Sequence, residues 1–163
     1  MNAIQAIRSS LQTSHMALSM YLSDMNDSDL FIRPVPNANH AAWQLGHVIK
    51  SEHDIVEMVR PGSCPPLPDG FADSYTKDTA KLDDPSKFHT KAQYLEIFNN
   101  QRKATLQLLE SLSEADLDAP GPAAFRRFFP TVGALLSMIA NHESMHSGQI
   151  VVLRRLRGKP ILI

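Results

Sequence analysis

Leu135, Ile139, His142, His146, Ile150 and Leu153 recur at steps of four, three, four, four and three residues. That spacing is one buried stripe of an α-helix, and no other stretch constrains the chain as much. Two of the stripe positions carry histidine where the pattern asks for Leu or Ile. An imidazole buried without a partner costs free energy, and metal coordination is one way to satisfy it. His142-Glu143-Ser144-Met145-His146 also matches H-E-x-x-H, in which histidines at i and i+4 leave one helix face and reach a single ion. The blander reading is a pair of core histidines bonded to carbonyls or to each other. Their i, i+4 pairing on a core stripe favours metal over that reading.

Three more amphipathic helices precede this one. Ile4, Ile7, Leu11, Leu18, Leu22 and Met25 predict a helix from about Asn2 to Met25, with Ser14 and His15 filling the middle of its stripe. Leu45, Val48, Ile49, Ile55, Val56 and Val59 predict a second, starting near Asn37 or Asn39 as N-cap and stopped by Arg60-Pro61-Gly62. Tyr94, Ile97, Phe98, Gln101, Thr105, Leu108 and Leu112 predict a third from Pro85 or Ser86 to Leu112, again with polar residues halfway along. Thr131 is a good N-cap for the last helix, which Gly158 and Pro160 end near Leu156. Segments 60–85 and 113–130 read as two long loops, the first a functional loop or a crossover between distant helices. Four long amphipathic helices and no alternating strand pattern predict an all-α four-helix bundle, one domain over residues 1–163.

Composition excludes several function classes. A net charge of −1 leaves no electrostatic footprint for nucleic acid, and no apolar stretch approaches membrane-spanning length. Arg154, Arg155, Arg157 and Lys159 fit the negative end of the last helix. Cys64 is the only cysteine and sits in a Pro-rich loop, so no intrachain disulfide forms. With no signal-peptide pattern at the start, the expected compartment is cytoplasmic.

A catalytic metal site commonly has three protein ligands and an open position. Downstream of His146 the chain holds no His, Asp, Glu or Cys, so an H-E-x-x-H protease lacks its third ligand there. The third ligand lies upstream, among His15, His40, His47, His53 and His89. His40 and His89 sit near helix starts, and His15 lies beside the first stripe. A helical wheel leans slightly towards His53 over His47, because His53 falls at the edge of the apolar arc.

Arg33-Pro34-Val35-Pro36-Asn37 followed by Trp43-Gln44-Leu45-Gly46-His47-Val48 resembles the second-helix signature of the DinB/YfiT-like superfamily. Thr131-Val-Gly-Ala-Leu-Leu136 and His142-Glu-Ser-Met-His146-Ser-Gly148-Gln149-Ile150 resemble its fourth-helix signature. The resemblance spans nearly the whole chain. It implies a four-helix bundle, usually dimeric, with a metal site of one histidine from helix two and two from helix four. Carried over by position, these are His47, His142 and His146. It also implies a divalent ion, most often nickel or zinc, and a small-molecule substrate. Some members of the family are thiol-dependent transferases using a low-molecular-weight thiol such as bacillithiol or mycothiol, and others resemble metal-dependent isomerases.

The expected function is therefore that of a divalent-metal-dependent transferase or hydrolase, with a thiol as one candidate cosubstrate. The alternative is a non-catalytic metal-binding bundle, which a fourth ligand such as His15 or His53 would favour. Glu143 is the candidate general base or partner to an imidazole, set against an ordinary inter-helix glutamate. Gly46 and Gly148 are read as permitting close packing, and Trp43 as a core anchor.

Overall fold

Polar caps set where each helix begins. The structure, a computed structural model, describes residues 1–162. Helix α1 spans Ala3–Leu22 behind a capping box of Asn2 and Gln5. Helix α2 spans Ala41–Val59, and its N-cap is neither expected asparagine but His40, whose Nδ1 accepts from the Trp43 backbone N–H at 3.1 Å. Helix α3 spans Lys91–Glu110, starting at a Thr90/Gln93 capping box rather than at Pro85. Residues Pro85–Lys87 form a separate 3-10 turn, and extended backbone at Phe88 parts it from α3. The expected second loop opens with a short helix, α4, over Glu114–Asp118. Helix α5 runs Val132–Leu156 from its Thr131 cap, as the sequence predicts.

The four long helices form a bundle in which α5 packs on α1 and α2, and α3 packs on α2 and, less extensively, on α1. The consecutive helices α1 and α2 therefore face each other across a diagonal. The crossover is the short 23–40 link, whereas the long 60–90 segment joins neighbours. Its middle is pinned: the Tyr75 ring fills the notch at Gly46, where a Cβ would come within 2.1 Å of it. The loop after α4 closes on itself, with Gly121 N–H donating to Pro130 O at 2.9 Å and Val132 N–H to Ala119 O at 3.0 Å. At the far end of α5, buried Arg154 pairs with Asp24, and Arg157 and Lys159 pair with Asp29. These cations fasten α5 to the segment after α1, in addition to any effect on the helix end.

The core is split by a polar layer. One apolar cluster gathers Leu18, Leu22, Val48, Ile49, Phe98 and Ile150; the other gathers Leu11, Ile55, Val56, Leu108, Leu135 and Ile139. Between them each long helix contributes buried polar groups: Ser14, Glu52, Arg102 with Thr105, and Glu143 with His146. Arg102 lies at its centre, 3 % exposed. It donates to both oxygens of Glu52 and to Glu143 Oε2, each at 2.9 Å, and to the Leu11 carbonyl. Thr105 donates to Glu52 Oε1 at 2.6 Å, and Ser14 donates to Glu143. Of the polar residues interrupting the α1 and α3 stripes, Ser14 and Thr105 belong to this layer, whereas Gln101 donates to Pro65 O at 2.8 Å.

Candidate metal centre

The face of α5 beside this layer carries the histidines. His142 and His146 leave one side of the helix, and α2 brings His47 against them. One ring nitrogen from each of His47, His142 and His146 lies within 4.8 Å of the others. His142 Nε2 and His146 Nε2 stand 3.2 Å apart. His53 does not join them, against the wheel's lean. A wheel ranks residues about one apolar centre, whereas α2 contacts both α3 and α5, and His47 points to the second of these neighbours. His15 is also elsewhere, with Nε2 against Asn99 Oδ1 at 2.8 Å and its ring on Phe98. His40 caps α2, and His89 accepts from or donates to the Tyr75 hydroxyl at 2.9 Å.

Gln44, which the sequence reading passed over, fixes the tautomer of His146. Its Nε2 donates to Asn39 O at 2.7 Å, which turns Oε1 towards His146 Nδ1 at 2.9 Å. An amide oxygen only accepts, so His146 Nδ1 carries the proton and Nε2 keeps its lone pair. That lone pair is aimed at His142. Burial holds both His146 and His47 neutral, lowering their pKa values to about 4, with the neighbouring histidines and, for His47, Lys50 adding to the effect. Burial lowers His142 as well. Two nitrogens bound at 2.0–2.1 Å to one ion stand about 2.9–3.4 Å apart for bond angles of about 90–110°. The donor set is neutral and of a kind that nickel or zinc accepts, and the His142–His146 pair is spaced to suit such an ion.

Trp43 backs the cluster. Its indole stacks on His47, with centroids 4.8 Å apart and planes 11° from parallel. Its Nε1 donates to Thr76 O at 3.1 Å and to Thr79 Oγ1 at 3.2 Å, so the ring cannot turn freely. The sequence reading of Trp43 as a core anchor holds, and what it anchors includes His47.

Glu143 lies on the interior side of α5 and is fully buried, with Arg102 and Ser14 on one oxygen. Burial raises its pKa, against the pull of Arg102. Gly148 meets no other part of the chain, in contrast to Gly46.

The histidines open into a cleft of about 240 Å³. His47, Ser51, Asp54, Ile55 and Met58 line it from one face of α2, Met138 and His142 from α5, and Phe125 from the loop between α4 and α5. His146 is set behind, 9 % exposed. An apolar cleft with a few converging polar groups is the usual form of a small-molecule site.

A sequence model of the DinB superfamily matches residues 10–150. The chain belongs to the DinB superfamily. Two solved structures share the superfamily chain's fold. One, a conserved protein of a locus from Enterococcus faecalis, superposes with a TM-score of 0.73 at 19 % identity, covering 98 % of this chain and 99 % of that one. The other is YfiT from Bacillus subtilis, described as a probable metal-dependent hydrolase with an unusual four-helix bundle topology. It superposes with a TM-score of 0.66 at 18 % identity, covering 96 % of this chain and 89 % of that one. No curated protein matches the chain. Among the described residues, no helix is long and apolar enough to cross a membrane.

Proposed function

We propose that this DinB-superfamily protein is a metal-dependent enzyme acting on a small molecule, with His47, His142 and His146 as the ligands of one divalent ion. The observation that carries the reading is the pair of imidazole nitrogens 3.2 Å apart, one of them proton-free by its bond to Gln44, at the edge of an apolar cleft. Bound by three neutral ligands, a nickel or zinc ion supplies Lewis acidity towards water, thiol or an electrophile. The residues of the chain supply the rest. Gln44 orients His146, Trp43 braces His47, and Ile55, Met58, Phe125 and Met138 receive an apolar body and exclude water beside the histidines. Glu143 acts here as a positioning residue, one of its oxygens bonded to Arg102 and Ser14. Hydrolysis and transfer to a low-molecular-weight thiol are both within this reading, and the description of YfiT favours the first. A homodimer fits the exposed Met145, Val152 and Leu156 on the outer face of α5.

Elemental analysis of the purified, untagged protein tests the site. Near-stoichiometric nickel or zinc is expected in the wild type and in His53→Ala, and its loss in His47→Ala and His146→Ala. A wild type that holds no ion after reloading with either metal would overturn the proposal. Activity screens of the loaded protein with ester and amide substrates, with and without thiols, then separate hydrolysis from transfer.

A further inference from the structure

The long segment between α2 and α3 is clasped to the bundle by two histidines outside the metal centre. His40 is wholly buried, and both of its ring nitrogens are in use. Nε2 bonds the Leu82 carbonyl at 2.9 Å, and Nδ1 accepts from the Trp43 backbone N–H at 3.1 Å. A carbonyl only accepts, so Nε2 carries the proton and Nδ1 keeps the lone pair that caps α2. A second proton would sit on Nδ1, against that N–H and the positive end of the helix. Arg33 opposes it too, lying beside His40 and donating to the Ala80 and Leu82 carbonyls. The acid nearby is the exposed Asp83, already paired with Arg33.

His89 ends a hydrogen-bonded chain that leads inward. The Tyr75 hydroxyl stands 2.9 Å from His89 Nδ1 and 2.7 Å from the Tyr94 hydroxyl, which accepts from the His89 backbone N–H at 3.3 Å. Both tyrosines are buried, and the Tyr94 hydroxyl has no further partner among the described residues. Every proton finds an acceptor only if Tyr94 donates to Tyr75 and Tyr75 to His89. Charging His89 reverses both bonds and strands the Tyr94 proton in the core. The other neighbours of the ring are Phe71 and, lining the same small cleft, Gln93 and Glu96 of α3.

The two neutral histidines hold one stretch of chain. Within it Tyr75 fills the Gly46 notch, and Thr76 O and Thr79 Oγ1 receive the Trp43 indole N–H. We propose that residues 71–89 form a strap released by acid, with His40 and His89 as clasps that hold only when neutral. Burial of Phe71 and Tyr75 sets how tightly the strap closes at neutral pH, and the histidines set how that changes. Burial also lowers both histidines from the ordinary 6.5. A histidine depressed in the closed form favours closure fully above about 6.5 and progressively less as pH falls below it. With the strap loosened, Trp43 loses the bonds that hold it against His47, and the metal centre loses its brace. Only this last step rests on the proposed function; the release itself needs no metal.

Hydrogen exchange of the purified full-length protein, read peptide by peptide by mass spectrometry at pH 7 and pH 5, tests the strap. Wild type is compared at each pH with the His40→Asn, His89→Asn double variant. Its amide oxygens replace the two Nδ1 acceptors and take up no proton. Relative to the variant, residues 71–82 of the wild type are expected to lose about 25-fold in protection per histidine between pH 7 and pH 5. That is the linkage value for a group that titrates at 6.5 only in the open strap. Amides of α3 and α5 are expected to keep their ratio. An unchanged ratio in 71–82, or the same loss throughout the bundle, would overturn the proposal. Ring-nitrogen NMR of the wild type needs no variant: both histidines are expected as the neutral Nε2–H tautomer at pH 7. An Nδ1–H tautomer or a charged ring at either position would overturn it equally. The strap stands or falls on these results whether or not the samples carry an ion, which elemental analysis tests separately.

Discussion

Residues 142 and 143 stand side by side on α5 and belong to two unlike polar centres. Around Glu143 the groups are all the protein's own: Oε2 accepts from Arg102 and Ser14, Arg102 and Thr105 bond Glu52, and Oε1, without a hydrogen bond, faces His15 Nδ1 at 3.8 Å. Around His142 the nitrogens converge on each other, and only His146 Nδ1 has an outside partner, in Gln44. The first centre is closed to solvent and holds helices together. The second is left incomplete by the protein and opens to a cleft, which is how a binding site differs from a structural network made of the same residue types.

Breaking the closed centre has the largest expected effect. Arg102→Met leaves two buried carboxylates without their cation and is expected to cost about 3–5 kcal/mol. In a chain of this length that lowers Tm by roughly 10 °C or more. Calorimetry measures the loss, and elemental analysis of the folded fraction should still find metal. The comparison fails if Arg102→Met sheds the ion at unchanged Tm.

The open centre responds in the other currency. Gln44→Leu frees the His146 tautomer and is expected to weaken metal binding about 10–100-fold, with a small change in the Tm of the metal-free protein. Competition with a chelator reads the affinity; a wild-type value would remove Gln44 from the site.

Acid separates the centres further. His47 and His146 have folded pKa values near 4 against an ordinary 6.5, so between these limits the unfolded chain binds more protons. Their contribution to the stability of the metal-free protein is present above about pH 6.5 and lost as pH falls towards 4. Denaturant titrations of wild type and His47→Ala at pH 7 and pH 5 check this, the variant being expected to lose less on acidification. Equal losses would contradict it.

The smallest effects come from two glycines. Gly46→Ala drives a methyl into the Tyr75 ring and is expected to destabilise by about 1–3 kcal/mol. Gly148→Ala meets nothing and should stabilise α5 by up to about 1 kcal/mol. Urea midpoints of opposite sign are the expected result.

Much of the fold was legible because the stripes are regular, and the polar layer showed as their interruptions at Ser14 and Thr105. Its charged members did not show. Glu52 and Arg102 look like ordinary surface residues within their own helices, and only packing α2 against α3 brings them together. His142 and His146 were legible from local spacing, whereas His47 needed the resemblance, because the choice between it and His53 depends on which neighbour that face of α2 meets. Gln44 lay inside the quoted Trp43–His47 motif, three residues before His47, and that spacing was the available signal. His40 escaped as a cap because an imidazole nitrogen there does the work of a side-chain oxygen.

The loop from Ala119 to Val132 is tied at its own base, and a Cβ at Gly121 would come within 2.7 Å of the Phe129 carbonyl, which keeps that base tight. Phe125, at the edge of the apolar cleft, stands on this closed ring of chain and packs down onto the bundle core. Such a segment is a brace of fixed outline, set on the core at Phe125 and Phe129. Of its residues only Phe125 reaches the cleft, so the loop shapes the entrance at one point while α2 and α5 hold the histidines.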